Sequence, residues 1–425
     1  MYEVDRIRVE LFRQLKVEIR GSKEHLIVGI DVAKEKHNAF FGTATGKTLL
    51  KRLVFGNTME GFNKLLSFVE AVKVKHGLSS EVFGLEPTAN YHKPLGEYLI
   101  KCGLDVVLVS GLAVKNNREL IDGRWDKHDT KDSANVADLV SQGKCLYYDY
   151  PCMPLRDLLS LKRRFKKLEH GMRVRIRNHL LAQYFPELDR YFVGAGSQGL
   201  AIVRWCLAPS VIAGLEYDDF VGLVAPGKKS IGQQRRLSAI WNSAVDSIGC
   251  DAGESLEFEA KMMVEELQQT RESIRLIDAK IEDICLQFPE YSYLLTIPGF
   301  GPDISSKVLG AIGNPFRFDT GKQVLKLAGM DLSAKRSGKR SQASIPVLSK
   351  KGKAELRYAL YQAALIASSK NTNFVIYYTN KLRGREKEKG IKTKMRVKLA
   401  AKLLIIAWTL MKKQEPFDPE YLKLK

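Results

Sequence analysis

Cysteine is scarce in this sequence, and its cysteines form no close pairs. Six cysteines are spread over 425 residues, and the two nearest, Cys145 and Cys152, are seven residues apart. This spacing excludes the Cys-x-x-Cys pairs of zinc ribbons and thioredoxin-like redox sites. The seven histidines show no zinc-ligand spacing either. We interpret the cysteines as ordinary thiols of a reducing cytoplasm and the histidines as structural residues.

Long apolar stretches are absent as well. The longest, residues 403–411, is far shorter than the ~20 residues that a membrane-spanning helix needs. The first residues mix both signs of charge and lack the apolar segment of a secretory signal. We therefore expect a soluble, cytoplasmic protein that has no membrane partner.

Acidic residues are outnumbered by basic ones. The chain has 68 Lys and Arg against 48 Asp and Glu, so its formal net charge is +20. This excess favours a polyanionic partner such as nucleic acid. A disordered basic tail is excluded, because 45% of the residues are hydrophobic and can bury real cores. The length suggests two or three domains at ~150 residues each.

The segment 26–142 alternates strand-like and helix-like patterns. Short apolar runs and alternation predict strands, whereas apolar residues at helical spacing predict helices. The predicted strands are 26–31, 37–42, 48–55, 82–86 and 104–109, and the predicted helices are 59–75, 95–102 and 129–141. Three early strands, followed by strands that alternate with helices, indicate a mixed α/β sheet covered by helices.

The rest of the chain is mostly helical in pattern. Residues 155–185 and 291–412 have helical spacing, whereas residues 190–250 are irregular by pattern. Between 256 and 288, apolar residues recur at alternating steps of four and three. This repeat, the heptad seam, favours a coiled coil or a long helical hairpin over a globular helix. The seam consists of Leu256, Ala260, Met263, Leu267, Thr270, Ile274, Ile277, Ile281, Ile284 and Phe288.

Basic residues crowd one part of the first of these helical segments. Between residues 162 and 177, a single acid, Glu169, offsets eight basic residues. This basic cluster consists of Lys162, Arg163, Arg164, Lys166, Lys167, Arg173, Arg175 and Arg177. We interpret it as a set of contacts to a nucleic-acid backbone. A solvated helix face is the alternative.

Four carboxylates are spaced so that they could bind a metal ion. Asp31 and Glu86 each close an apolar strand, and Asp129 and Asp132 are three residues apart on a predicted helix, hence on one face. Together they would offer the hard oxygen ligands that suit Mg²⁺ or Mn²⁺. Two such ions can activate a nucleophile and stabilise a leaving oxygen at a phosphodiester. The alternative for the helical pair is an N-terminal cap and a solvated acid.

Three motifs around these acids resemble, in chain order, the RuvC-like DEDD motifs of IS110-family transposases. They are Gly-Ile-Asp-Val-Ala-Lys (29–34), Glu-Pro-Thr-Ala-Asn-Tyr (86–91) and Lys-His-Asp-Thr-Lys-Asp-Ser-Ala (127–134). The middle motif departs from the family's usual Glu-Ala-Thr-Gly-x-Tyr but keeps the carboxylate. The resemblance implies an RNase H-like (RuvC-like) mixed sheet whose four acids bind Mg²⁺ or Mn²⁺.

The C-terminal third resembles the transposase domain of the same family. Leu295-Thr-Ile-Pro-Gly-Phe-Gly301 is typical of a helix-hairpin-helix turn, in which Gly299 and Gly301 would expose N–H groups to a phosphate. An ordinary turn between two packed helices explains it equally well. The segments 327–330, 335–340 and 349–352 complete this resemblance. The predicted nucleic-acid contacts here are Lys335, Arg336, Lys339, Arg340, Lys350, Lys351 and Arg357.

Matched residue by residue, the family's nucleophilic serine is Ser337. A serine hydroxyl is a weak nucleophile that needs activation, and the cations on either side of Ser337 could hold the phosphate that it attacks. Composition alone favours a simpler interpretation, in which Ser337 and Gly338 form a turn in a phosphate-binding basic loop. The competing serines nearby are Ser333, Ser341, Ser344 and Ser349.

The sequence pattern divides the chain at about 150 and 290, and the resemblance assigns a role to each part. Residues 1–23 would be an N-terminal extension, 24–150 the RuvC-like DEDD domain, 151–290 a basic helical and coiled-coil region, 291–412 the serine-bearing transposase domain and 413–425 a tail. The expected fold class is α/β plus α, with an RNase H-like sheet, a helical coiled-coil linker and a helical C-terminal domain.

The function that the resemblance implies is site-specific DNA recombination in the prokaryotic cytoplasm, in association with the nucleoid. Donor and target DNA would be cut and rejoined through a covalent phosphoserine intermediate. A structured, non-coding bridge RNA would guide the choice of both DNAs. The protein would act as a homo-oligomer, a dimer or a tetramer, with a composite site built from two protomers. Two alternatives are a RuvC-like junction nuclease that uses water, in which Ser337 is inert, and a non-catalytic nucleic-acid scaffold.

Overall fold

The computed structural model describes residues 2–122, 129–149, 153–192, 197–205, 208–333 and 347–422. The chain forms two compact units, each assembled from separate segments. The first unit contains Met1–Met153, Ile312–Tyr361 and Leu382–Lys413, and the second contains Pro154–Ala311, Gln362–Lys381 and Gln414–Lys425. The domain boundaries given above stay predictions.

A six-stranded mixed sheet forms the centre of the first unit. Its strands are β1 (His25–Asp31), β2 (Lys36–Thr43), β3 (Thr48–Gly56), β4 (Ser80–Leu85), β5 (Asp105–Leu108) and β6 (Leu146–Tyr147). They lie in the order β3-β2-β1-β4-β5-β6. β1, β4 and β5 are parallel, whereas the other neighbouring pairs are antiparallel. The predicted mixed α/β sheet is confirmed, and every strand predicted in 26–109 is present.

Five helices accompany the sheet in residues 2–149. They are α1 (Tyr2–Glu18), α2 (Met59–His76), α3 (His92–Lys101), α4 (Gly111–Asp122) and α5 (Asp129–Ser141). Alternate residues of β1 enter two different cores: Val28 and Ile30 pack with α2 and α3, whereas Ile27 packs with α4 and α5. The two-residue period of the strand therefore places helices on both faces of the sheet.

Two glycines let α5 lie directly on the sheet. A Cβ at Gly29 of β1 would lie 2.2 Å from the Ser133 carbonyl oxygen and 2.5 Å from the Ala137 nitrogen. At Gly84, its partner in β4, a Cβ would lie 2.6 Å from Val140 Cγ2. Because these neighbours are backbone or packed side chains, they have little freedom to move aside.

Gly29→Ala should therefore destabilise the first unit by about 1–3 kcal/mol or more, because the added methyl group overpacks the contact between α5 and β1. Thermal unfolding followed by calorimetry measures the effect. Gly171→Ala is the matched control, since a Cβ at Gly171 has no atom within 4 Å. This control should stabilise its helix by about 0.5–1 kcal/mol. Equal melting temperatures for the two variants would contradict the packing argument.

In its described part, the middle of the chain contains helices and connecting loops. Its helices are α6 (Met153–Arg175), α7 (Ala182–Tyr184), α8 (Asp189–Phe192), α9 (Ser197–Trp205), α10 (Pro209–Ala213), α11 (Tyr217–Val224), α12 (Ile231–Val245), α13 (Glu254–Cys285), α14 (Pro289–Leu295) and α15 (Pro302–Ile312). A π-helical turn, Ile176–Leu181, joins α6 to α7.

The irregular sequence pattern of residues 190–250 does not correspond to irregular structure. The described part of this segment folds as helices, and Ile212, Phe220 and Ile240 on them are fully or almost fully buried in one core. Helices of five to nine residues are marginal by themselves, so tertiary packing decides their formation. One local signal was available: Ser230 and Gln233 form a capping box at the start of α12.

All residues of the heptad seam except Phe288 lie on one long helix, α13, in the second unit. Eight of its ten residues are buried, while Leu256 and Ile284 are half-buried. Helix α6 runs antiparallel to α13, since Glu169 pairs with Arg271 and Arg175 pairs with Glu259. The seam residues Ala260, Met263 and Leu267 pack in one core with other helices of this chain.

The C-terminal part is helical, as predicted. It contains α16 (Gly321–Ala328), the short strands β7 (Leu332–Ser333) and β8 (Val347–Leu348), then α17 (Ala354–Lys370), α18 (Thr372–Leu382) and α19 (Ile391–Lys413). The Trp408 indole on α19 donates to the Pro315 carbonyl at 2.9 Å, which ties α19 to the segment before α16. Within the described ranges, no helix combines the length and apolar character that crossing a membrane requires.

Candidate active site

Asp31 and Glu86 lie side by side at one edge of the sheet. Asp31 is the last residue of β1, and Glu86 directly follows β4. The two strands are parallel, with Ile30 opposite Leu85, and the Glu86 nitrogen lies 3.5 Å from the Ile30 oxygen. Neighbouring strands are about 4.8 Å apart, so the next pair in register, Asp31 and Glu86, occupies adjacent positions at the carboxyl edge.

Both acids belong to the face of the sheet that α5 covers. Ile30 and Leu85 pack into the core on the α2 and α3 side. Because side chains alternate along a strand, the residues that follow them, Asp31 and Glu86, point to the opposite face. In agreement, Glu86 Oε1 lies only 2.8 Å from where a Cβ of Gly111, the first residue of α4, would be.

Helix α5 packs on β1 close to Asp31. The Ser133 carbonyl oxygen of α5 lies 2.2 Å from where a Cβ of Gly29, two residues before Asp31, would be. The stretch of α5 that carries Asp132 therefore lies beside the last residues of β1. Asp132, in the first turn of α5, is 2% exposed. Helix α5 begins at Asp129, whose side chain lies outside the described part of the structure.

The structure thus places Asp31 and Glu86 side by side at one edge of the sheet, and α5, which carries Asp132, packs beside Gly29, two residues before Asp31. Their carboxylate oxygens are the donor type that Mg²⁺ and Mn²⁺ prefer, so the donor chemistry fits a hard divalent cation. Among the described side chains, however, no group of three or more His, Cys, Asp or Glu residues is placed to hold a metal ion. The predicted fourth ligand, Asp129, is not one of those side chains. The ligand set therefore stays a prediction.

A buried polar network fixes α5 against α4. Asn117 of α4 donates through its amide nitrogen to Asn135 and to Asp138, both at 2.7 Å. Asn135 in turn donates to the Val114 carbonyl at 2.7 Å. Buried amides whose hydrogen bonds are satisfied hold elements in one arrangement. This network was not predicted from the sequence, although an asparagine among apolar residues in each of the two helices was a usable signal.

His37 fixes the turn that follows Asp31. Its Nδ1 accepts a hydrogen bond at 3.2 Å from the Ala33 nitrogen, two residues after Asp31. Burial lowers the pKa of His37, only partly opposed by a hydrogen bond with Asn57, so the ring is neutral and can accept. The ring also packs edge-on against Phe55. His37 thus has a structural role, as predicted for the histidines: it holds the backbone beside Asp31, a candidate metal ligand.

The segment that carries Ser337 begins and ends at a short strand pair. Leu332 of β7 lies opposite Leu348 of β8. Beside them, the Ser349 nitrogen donates to the Asp331 carbonyl at 2.9 Å, and the Ser349 hydroxyl donates to the Asp331 carboxylate. Ser349, one of the competing serines, is therefore hydrogen-bonded to Asp331 beside the strand pair. The predicted residues Lys335, Arg336, Ser337, Lys339 and Arg340, and the competitors Ser341 and Ser344, lie outside the described residues.

The predicted nucleic-acid contacts after this loop differ in availability. Lys350 and Lys351 are exposed. Arg357 is half-buried, and its Nη1 donates to the Ala328 carbonyl at 2.8 Å and to the Gly352 carbonyl at 3.1 Å. Arg357 thus ties the start of α17 to the end of α16, a structural role that sequence analysis did not foresee.

The glycine turn between α14 and α15 packs against α17. Gly299 has φ +91°, and a Cβ there would lie 2.5 Å from the Ala363 carbonyl oxygen. Both the backbone angle and the close approach require glycine. Gly301 has no such neighbour, and its carbonyl accepts from Ile304 and Ser305 in the first turn of α15. The packing interpretation therefore accounts for Gly299, while phosphate contact at this turn stays a prediction.

The members of the basic cluster, on α6 and the following turn, differ in their ion pairs and in their exposure. Lys162 is only 12% exposed and lies between Asp278 (2.6 Å) and Asp303 (2.5 Å). Burial alone would lower the pKa of Lys162, but the two carboxylates outweigh it and the pKa is raised. Three more members form ion pairs within the chain, namely Lys166 with Glu169, Arg175 with Glu259 and Arg177 with Asp189. Arg164 and Lys167 are exposed.

Comparisons with known proteins agree with this arrangement. Residues 28–186 match the family model of the IS110-type DEDD transposase, and residues 291–379 match the model described as the transposase IS116/IS110/IS902 family. Both matches follow the chain order of the motifs, and together they cover more than half of the chain.

A curated relative supports the same assignment. The pilin gene-inverting protein of Moraxella lacunata is 33% identical over 156 residues, which are 35% of this chain and 46% of that protein. The chain thus matches less than half the length of this relative. On the two family matches and the motif order, the chain belongs to the IS110 family of transposases.

Proposed function

We propose that the protein is a site-specific DNA recombinase that cuts and rejoins donor and target DNA. In this proposal Ser337 is the nucleophile, and Asp31, Glu86, Asp129 and Asp132 bind Mg²⁺ or Mn²⁺. The observation that carries it is the adjacent position of Asp31 and Glu86 at the carboxyl edge of a mixed sheet, with α5, which carries Asp132, packed on β1 beside Gly29. Membership in a DEDD transposase family supports a dependence on divalent metal.

Each part of the chain would have a chemical task in this reaction. A bound Mg²⁺ or Mn²⁺ would stabilise the negative charge that develops on the phosphodiester oxygens. The Ser337 oxygen would form a bond to phosphorus while the bond from phosphorus to a DNA oxygen breaks, which leaves a phosphoserine and a free DNA hydroxyl. Attack by a second DNA hydroxyl on the phosphoserine would then rejoin the strands and release the serine. The cations beside Ser337 would hold the phosphate during both steps.

The name of the relative favours rejoining over hydrolysis. A pilin gene-inverting protein, as its name says, inverts a DNA segment. Inversion requires that cut ends be joined in a new arrangement, whereas hydrolysis by water leaves the ends separate. A covalent intermediate conserves the bond energy that rejoining needs.

We further propose that a structured bridge RNA guides the protein, and that a homo-oligomer assembles the composite site. Arg164 and Lys167, two exposed members of the basic cluster, support a role of α6 in contacts to an RNA backbone. Each phosphate contact that is formed releases counterions, so binding should weaken as salt rises.

Lys167→Gln should lower the salt dependence of RNA binding. The slope of log K against log salt is expected to fall by about 0.7 to 0.9 for each lost phosphate contact. Lys162→Gln is the matched control on the same helix, and it should leave the slope unchanged because two carboxylates already hold that ammonium group. Filter binding over a series of salt concentrations measures both. An unchanged slope in the Lys167 variant would favour the solvated-face interpretation.

Recombination in a purified system tests the proposed function. Plasmids that carry donor and target sites, an RNA transcribed from the flank of the element and the full-length protein are combined with Mg²⁺. Recombinant junctions, detected by amplification and sequencing, should form only when RNA and divalent metal are both present, and EDTA should abolish them. Efficient cleavage with no joined product would contradict the proposal and favour the junction nuclease. Binding without any strand cleavage would favour the scaffold.

A further inference from the structure

Gly111 is distinguished by what occupies the space of its missing side chain. The atom nearest to the position that a Cβ would take at this residue is Glu86 Oε1, at 2.8 Å, followed by Glu86 Cδ at 3.8 Å. The backbone of Gly111 does not have the positive φ that favours glycine. Space, and not conformation, therefore requires a glycine here, and the space is filled by a candidate metal ligand.

We propose that Gly111 is a positioning residue that holds the Glu86 carboxylate at the carboxyl edge of the sheet. This inference rests on the proposed function, in which Glu86 binds metal. Gly111 is the first residue of α4, and Ser110 caps this helix by accepting from the Ala113 nitrogen at 3.2 Å. The first turn of a helix favours a negative charge, so the carboxylate is stable against it once no Cβ intervenes.

Gly29 and Gly84 of the first unit have a different role. At Gly29 the obstacle is the backbone of α5, and at Gly84 it is a packed valine side chain. At Gly111 the obstacle is the far end of a flexible glutamate, which can rotate away. A methyl group at residue 111 should therefore leave the fold intact and displace the carboxylate to another rotamer. Small displacements of a metal ligand weaken binding, since outer-shell changes cost about 10–100-fold in affinity.

Gly111→Ala in the full-length protein, with Mn²⁺ as the probe, tests the inference. We expect the Kd for Mn²⁺, measured by titration calorimetry or by electron paramagnetic resonance, to rise about 10–100-fold. The melting temperature should stay equal or rise. Gly232→Ala is the matched control: Gly232 is the second residue of a serine-capped helix, and no atom lies within 4 Å of its Cβ position. The control should bind Mn²⁺ as the wild type does.

Combination with changes at Glu86 shows whether the effect passes through that carboxylate. In a Glu86→Gln background, Gly111→Ala should cause no further loss of Mn²⁺ affinity. Glu86→Asp retracts the carboxylate by one methylene, so Gly111→Ala combined with it should bind Mn²⁺ no worse than Glu86→Asp alone. The combination of Glu86→Asp with Gly111→Ala also tests the inference if Gly111→Ala alone fails to fold. The shorter side chain should avoid the collision with the new methyl group and restore folding.

The outcomes separate this inference from the proposed function. If Glu86→Gln weakens Mn²⁺ binding but Gly111→Ala does not, the proposed role of Gly111 is wrong. The proposed metal site is then still supported. The role of Gly111 is also overturned if Gly111→Ala lowers the Mn²⁺ affinity as much in the Glu86→Gln background as in the wild type. It is overturned as well if Gly111→Ala fails to fold both alone and in combination with Glu86→Asp. If the wild-type protein binds Mn²⁺ no better than Glu86→Gln does, the proposed metal site fails, and the role of Gly111 fails with it.

Discussion

Replacing Asp31 by asparagine should abolish recombination and leave nucleic-acid binding intact. The substitution keeps the size of the side chain but removes the charge that a divalent cation requires. Since even outer-shell changes cost about 10–100-fold, the loss of a direct ligand should exceed ~100-fold. Binding should persist or tighten slightly, because a carboxylate repels phosphates. Glu86→Gln and Asp129→Asn should behave in the same way.

The control for this experiment is an aspartate at the other end of a strand. Asp105 begins β5, which is parallel to β4, and it therefore lies at the edge of the sheet opposite to Glu86. Asp105→Asn should retain recombination under identical conditions. Full strand exchange by the Asp31→Asn protein, with Mg²⁺ as the only divalent ion, would contradict the proposed metal site.

Ser337→Ala should remove covalent attachment to DNA while folding, oligomerisation and RNA binding remain. Only a hydroxyl is lost, and the neighbouring cations that would bind the backbone stay in place. Ser337→Cys should retain at most traces of activity, because a thiolate can attack but its geometry and softness suit phosphorus poorly. Size-exclusion chromatography and filter binding check assembly and RNA affinity, and denaturing gels with labelled DNA detect the adduct.

Ser349→Ala is the matched serine control for that experiment. The Ser349 hydroxyl donates to Asp331 beside the β7–β8 pair, so its loss should weaken this contact and leave the chemistry itself in place. Adduct formation should persist at a reduced rate. Complete loss of the adduct in Ser349→Ala, with a normal yield in Ser337→Ala, would reverse the assignment.

The sheet and its acids could be predicted because their signals are local. Apolar runs that end in a carboxylate locate β1 and β4 directly, and the alternation of side chains then fixes the face on which Asp31 and Glu86 lie. The helix predicted for 129–141 is observed with the same bounds.

What could not be predicted depends on contacts between residues far apart in sequence. Lys162 is paired with acids more than one hundred residues away, so its charge is neutralised inside the fold and not free for phosphate. Arg357 and Gly299 are explained by backbone carbonyls that a sequence pattern does not reveal. The need for a glycine at residue 111 likewise becomes apparent only in the structure, where the Glu86 carboxylate lies beside it.

The central claim, a covalent phosphoserine, is tested most directly by peptide mapping of a trapped adduct. The full-length protein is incubated with RNA, Mg²⁺ and nicked target DNA, whose nick lets a short fragment diffuse away after attack and so prevents rejoining. We predict a single peptide that carries the residual nucleotide on Ser337. A phosphate on Ser333 or Ser341 would keep the mechanism and move the nucleophile. Cleavage that leaves free 5′-phosphate ends and no adduct would contradict the account, because water would then be the nucleophile.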